Sequence, residues 1–208
     1  MSKDSLINNL IEQGYLKTLR IIEAFRKIDR ADFVPGKFKS LAYEDVPLPI
    51  GEGQTISQPL TVAFMLELLR PEAGDKILDV GYGSGWTSSL LAEVVGDTGY
   101  VYAIERIPEL CEFGRGNIEK YGFLSSGRVE CLCGDGTKGW SEKAPFDKIL
   151  AGASAKELPQ AWKEQLKIGG RIVAPIEWSI WLFVKKSETE FEEIEHPGFS
   201  FVPLISLP

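Results

Sequence analysis

A doubly wound, mostly parallel α/β sheet is the fold class that this chain of 208 residues predicts, with helices leading into it and an antiparallel edge closing it. Three observations predict it. From residue 76 onward, short apolar runs alternate with longer segments of helical period. The first run, Lys76-Ile77-Leu78-Asp79-Val80, opens into the glycine turn Gly81-Tyr82-Gly83-Ser84-Gly85. Acids stand at or near the carboxyl ends of three successive runs, as Asp79, Glu105 and Asp135.

Taken in order, residues 6–14 and 18–28 place apolar side chains at helical spacing, among them Leu19, Ile22, Phe25 and Ile28, with Gly14 and Asp29 as punctuation. Two packed helices are expected. Pro35, Pro47 and Pro49 mark an extended irregular segment that ends at Gly51-Glu52-Gly53. A helix resumes over 61–69, where Pro59 suits the first turn and Ser57 lies near the cap position. Strands are expected at 76–80, 100–104, 128–133, 146–151 and 171–175, and helices at 88–95, 108–121 and 159–166. The tail reads as two strands, 178–184 and 191–194, separated by an acidic turn, which makes an antiparallel edge hairpin. One domain over 1–208 is expected, with 1–59 as a helical extension and 60–208 as the core.

The glycine spacing narrows the ligand. Glycines between a strand and a helix let the backbone approach a nucleoside closely, but a dinucleotide fingerprint needs a last glycine where Trp86 stands. Asp79 before the turn suits an uncharged ribose and a zwitterionic amino acid better than a pyrophosphate. The turn therefore reads as an S-adenosylmethionine site, with Gly81, Gly83 and Gly85 against the ligand. Glu105, about 20 residues beyond the turn, is placed to take both ribose hydroxyls. Asp135, between Gly134 and Gly136, is placed to accept from an adenine amino group. Each acid alone is more often a solvated turn residue or a cap; three at regular strand ends are harder to dismiss.

A chain that is 44% hydrophobic and 25% charged suits a globular enzyme. Its net charge of -7 argues against a nucleic-acid partner, since no basic stripe interleaved with aromatics is present. No long apolar run calls for a membrane, and a cytoplasmic monomer is expected. Cys111, Cys131 and Cys133 cannot all pair internally and have no Cys or His cluster to complete a metal site, so buried free thiols are expected. The sole histidine, His196, sits in the turn-like Glu195-His196-Pro197-Gly198 and is expected to be solvated.

From residue 21 to 204 the chain resembles the protein-L-isoaspartate O-methyltransferases. The resemblance rests on Asp32-Phe33-Val34-Pro35, Ala42-Tyr43-Glu44-Asp45, Pro47-Leu48-Pro49-Ile50-Gly51 and Gly53-Gln54-Thr55-Ile56-Ser57-Gln58-Pro59. It continues through Ile104-Glu105-Arg106-Ile107-Pro108, Gly134-Asp135-Gly136 with Gly139-Trp140, and Phe201-Val202-Pro203-Leu204. It implies the seven-stranded class I methyltransferase fold and makes Ser57 the active-site residue. It also implies cofactor contacts from Thr55, Ile56, Arg106 and Gly136 and substrate contacts from Ser57, Val202, Pro203 and Leu204. Two departures stand out. Tyr82 occupies the glycine turn where Thr or Ser is usual, leaving its ring to cover the cofactor or face outward. Pro175-Ile176-Glu177-Trp178-Ser179 runs on without the family's usual loop.

The reaction so implied is transfer of the S-adenosylmethionine methyl group to the free α-carboxylate of isoaspartyl residues in damaged proteins and peptides. Such a carboxylate is ionised at neutral pH, so no general base is needed and the task is orientation and exclusion of water. On the sequence alone, two alternatives stay open. One is a methyltransferase of the same fold with another carboxyl or hydroxyl substrate; the other binds S-adenosylmethionine without catalysis.

Overall fold

In the computed structural model, which describes residues 1–206, two helices come first. Helix α1 (Lys3–Glu12) starts at Ser2, whose side chain accepts the Ser5 N–H at 3.1 Å. Helix α2 (Leu19–Lys27) buries Ile21, Ile22, Ala24 and Phe25 along one stripe, and Arg26 and Lys27 in its last turn complement the helix dipole. The segment expected to be irregular forms short turns up to residue 47 and then enters a small antiparallel ribbon of β1 (Leu48–Gly51) and β2 (Gln54–Ile56). Prolines are compatible with it because a two-stranded ribbon has two free edges. Helix α3 (Pro59–Leu69) follows, with Pro59 in its first turn.

The main sheet begins with β3 (Lys76–Val80), followed by α4 (Trp86–Val95), β4 (Tyr100–Glu105), α5 (Pro108–Glu119) and β5 (Val129–Cys133). Next come β6 (Phe146–Ala151), α6 (Gln160–Gln165), β7 (Leu166–Ile176), β8 (Ser179–Lys185) and β9 (Phe191–Pro197). The strand order is β5-β4-β3-β6-β7-β8-β9; the first five are parallel and the last two antiparallel. This is the expected mixed sheet of seven strands. The chain runs outward from β3 to β5 and returns to pair β6 on the other side of β3. The order therefore reverses there, and in open α/β sheets a ligand crevice forms outside the carboxyl ends at such a point.

Successive strand residues feed two cores. Ile77, Val101, Ala103, Leu150 and Val173 pack with residues of α3, α4 and α5 on one face. Leu78, Ile104, Ile149 and Ile172 pack with Trp162 of α6 on the other. Burial on both faces explains why β3 and β6 read as apolar runs without alternation. Exposed Glu192, Glu193 and Glu195 charge the outer strand β9, which discourages edge pairing.

Two sequence expectations fail. Cys111 on α5 and Cys133 at the end of β5 form a disulfide, with Cα atoms 5.8 Å apart, so free thiols describe Cys131 alone. Packing of α5 over β5 brings the pair together, which strand alternation could not reveal. Burial pushes the Cys131 thiol up to about 12. His196 lies on β9 opposite Ile180, half-buried and edge-on to Phe64 at 5.1 Å between ring centres. The turn residues around it belong to a strand that extends three residues beyond the expected end at 194.

Candidate active site

The glycine turn after β3 is held by the end of β4. The Gly81 N–H donates to the Ile104 carbonyl at 2.7 Å, and the Gly83 N–H donates to Glu105 Oε2 at 3.1 Å. Gly85 has φ +87°, and a Cβ there would lie 2.7 Å from Ile118 of α5. Any other residue would push α5 off the turn, so this glycine serves close packing as well as backbone conformation. Tyr82 does not face outward. Its ring is buried against Gly114, and its hydroxyl donates to the Cys111 carbonyl at 3.1 Å.

The three acids differ in environment. Glu105 Oε1 accepts the N–H groups of Arg106 and Ile107 at 2.8 and 3.0 Å, while Oε2 takes the one from Gly83. Asp79 is fully buried and accepts the Ser88 hydroxyl at 2.5 Å. Burial pushes its pKa up to about 7; the Ser88 bond opposes the rise and the Glu105 charge adds to it. Asp135 Oδ1 accepts from the Thr137 N–H and hydroxyl at 2.9 and 2.7 Å, and it is the flanking Gly134 and Gly136 that line the crevice.

Three openings meet at this edge of the sheet. The first runs along Glu105, Arg106, Gly136, Val202, Pro203 and Leu204. The second contains Ile56, Ser57, Asp79, Tyr82 and Trp86. The third opens to solvent past Ser57, Gln58, Phe201 and Val202. Thr55 and Gly152 line all three. Residues 202–204 are laced to the loop after β6: the Ser154 N–H donates to the Val202 carbonyl at 2.8 Å, and the Leu204 N–H donates to the Ser154 carbonyl at 2.7 Å. The structure thus brings Thr55, Ser57, Glu105 and Val202 to one crevice from three separate stretches of chain.

Ser57 is not the cap of α3. Gln58 occupies that position without a side-chain bond to the helix. The orphan N–H of Leu60 is accepted instead by Asp45 Oδ1 at 2.8 Å, while Asp45 Oδ2 accepts Gln58 Nε2 at 3.1 Å. From the other side, the buried Arg30 guanidinium donates to the carbonyls of Ala42, Glu44, Val46 and Ser57 at 2.8 to 3.3 Å, and it lies over the Trp86 ring. Burial brings its pKa down to about 10, partly offset by the Asp45 charge, so it stays protonated at neutral pH. Arg30, Asp45 and Gly152 were not singled out from the sequence. Arg30 bonds only backbone carbonyls, which leave no trace in residue identity.

The crevice suits a nucleoside cofactor. Among the described residues the buried Nε of Arg106 has no partner and Glu105 Oε2 takes a single N–H, so both can meet polar groups of a ligand.

The comparisons agree with this geometry. The protein-L-isoaspartate(D-aspartate) O-methyltransferase (PCMT) family matches residues 1–207. A protein-L-isoaspartate O-methyltransferase of Methanopyrus kandleri is 44% identical over 208 residues, covering 98% of this chain and 91% of the relative. One from Ignicoccus hospitalis is 49% identical over 175 residues, covering 84% and 82%. A Plasmodium falciparum chain assigned as the same enzyme, crystallised with S-adenosyl-L-homocysteine, superposes over all of both chains with TM-score 0.89 at 25% identity. With its whole length matched in sequence and in fold, the chain belongs to the protein-L-isoaspartate O-methyltransferase family.

Proposed function

We propose that Ser57 holds the free α-carboxylate of an L-isoaspartyl residue where the openings meet at Thr55 and Gly152, with the cofactor in the cleft along Glu105. The protein is an S-adenosylmethionine-dependent carboxyl methyltransferase acting on isoaspartyl residues of damaged proteins and peptides, a step in their repair. The observation that carries the site assignment is the convergence on Thr55 and Gly152. A cleft with the glycine turn on its wall and a second opening beside Ser57 share those two residues, as a transfer between two bound molecules requires.

When bound, S-adenosylmethionine supplies a methyl group activated by a positive sulfonium. This chain's residues do the rest. The glycine turn, Glu105 and Arg106 hold the nucleoside, and Val202, Pro203 and Leu204 on the cleft wall contact the substrate. The substrate carboxylate is ionised well below neutral pH, so no residue need remove a proton. The Ser57 hydroxyl donates a hydrogen bond to one carboxylate oxygen and so aims the other. Arg30, through the Ser57 carbonyl, keeps that hydroxyl in place. On this reading residues 1–59 build the substrate side of one domain, 60–208 hold the cofactor, and the enzyme works as a cytoplasmic monomer.

Labelled S-adenosylmethionine with matched isoaspartyl and aspartyl peptides tests the assignment. Label should enter only the isoaspartyl peptide, because the isomers differ in where the carboxylate leaves the backbone. Equal labelling of both would contradict it.

A further inference from the structure

We propose that the tip of the β7–β8 hairpin, with Trp178 at its centre, forms a second subsite that takes an apolar or aromatic side chain of the substrate polypeptide near the isoaspartyl residue. Trp178 is 73% exposed, the most exposed large hydrophobic side chain among the described residues. Glu177 beside it has φ +52°, a left-handed conformation that a residue with a Cβ adopts at a cost. This strained two-residue turn sits at the carboxyl end of β7, on the same edge of the sheet as the crevice.

The tip is tied to the crevice walls. The Glu177 N–H donates to the Ala155 carbonyl and the Ser154 hydroxyl to the Glu177 carbonyl, both at 3.1 Å. The Gly198 and Phe199 N–H groups both donate to the Trp178 carbonyl at 3.0 Å. A groove follows, lined by Lys156, Glu177, Trp178, Ser200, Phe201 and Pro203. Ser200 and Phe201 also line the opening beside Ser57, so the groove continues that opening across Phe201.

That continuity identifies the occupant. A polypeptide whose isoaspartyl carboxylate lies at Ser57 must leave through the solvent-facing opening, and its extended chain advances about 3.3 Å per residue. Trp178 and Phe201 offer a preorganised apolar surface along that path, of the kind that dominates peptide recognition. Binding there is remote from the reacting atoms, so it acts on substrate capture and appears in KM.

The inference rests on the isoaspartyl reading of the Ser57 opening. The test uses the whole enzyme and synthetic peptides with one isoaspartyl residue among glycines, and a series in which phenylalanine replaces each glycine within three positions on either side. For the wild type, phenylalanine at one position on one side should raise kcat/KM about five-fold or more over glycine, mainly through KM. In Trp178→Ala that ratio should fall to near one. It should persist in Ile168→Ala, which removes another exposed side chain at the opposite end of β7. Calorimetry with S-adenosylhomocysteine confirms that each variant is folded. A wild type indifferent to phenylalanine, or a Trp178→Ala enzyme that keeps the ratio, overturns the subsite and leaves the isoaspartyl activity standing. A wild type that methylates none of these peptides overturns both.

Discussion

Ser57 and Asp79 show how single side chains at this site can be separated by measurement. Because Gln58 and not Ser57 stands at the cap of α3, Ser57→Ala should change stability by no more than about 0.5 kcal/mol. It should still slow turnover of isoaspartyl peptide about ten- to a hundred-fold, the value of one hydrogen bond worth about 1.4 to 2.8 kcal/mol in the transition state. S-adenosylhomocysteine affinity should change much less. A fully active Ser57→Ala enzyme would move substrate positioning elsewhere on the opening. For Asp79 the sign follows from burial. Its folded pKa of about 7 lies above the ordinary carboxylate value, so the folded state binds the extra proton between about pH 4 and 7. Its contribution to stability is therefore full below about pH 4 and is lost as pH rises towards 7, by at most about 1.4 kcal/mol per unit. Asp79→Asn is neutral throughout, so relative to wild type it should be more stable at pH 8 than at pH 5. Denaturant unfolding at both pH values reads this out, and an unchanged difference would contradict the shift.

At the scale of elements, residues 42–58 line the opening beside Ser57 through Pro47, Thr55, Ser57 and Gln58, and their fixation comes from Arg30 and Asp45. Removing the guanidinium strands four carbonyls, so Arg30→Ala should cost about 3 kcal/mol or more in thermal or denaturant unfolding. Arg30→Lys should recover only part of that, because an ammonium lacks the planar fork that reaches all four. Asp45→Ala should cost about 1 kcal/mol, as loss of a helix cap does, and Gln58→Ala less, although Gln58 holds the cap position by sequence. The reverse order would show that the Asp45 carboxylate does not satisfy α3. The sequence placed Pro59 in the first turn of this helix correctly, since proline preference is local. It pointed to Ser57 as a possible cap because the acceptor that does the capping lies 15 residues away from Leu60.

For the whole molecule, the Cys111–Cys133 bridge closes a loop of 22 residues between α5 and β5, beside the strand that ends in Glu105. A loop of that length is worth about 3 kcal/mol by restriction of the unfolded chain. Reduction, or Cys111→Ser, should therefore lower the melting temperature by roughly 6 to 12 °C. Melting curves recorded with and without a phosphine reductant check this. A melting temperature indifferent to both changes would leave the bridge without a role in stability. The strand sequence Cys131-Leu132-Cys133 showed that two thiols share a face, but which of them meets a third cysteine depends on how α5 crosses β5.

By itself, the sequence determined the alternation of strands and helices, the glycine turn and the acids at the strand ends. Those features follow from local rules: buried parallel strands need apolar runs, and the turn holds Gly85 at φ +87°, a conformation that favours glycine. The match of motifs also placed Ser57 in the site. Tertiary structure alone decided that Thr55 and Gly152 would join the openings, that Tyr82 would turn inward, that Cys133 would pair with Cys111, and that Arg30 and Asp45 would hold the Ser57 segment. Each of these depends on contacts between distant stretches, several through backbone atoms common to every residue, and no local pattern records which carbonyl a buried guanidinium will meet.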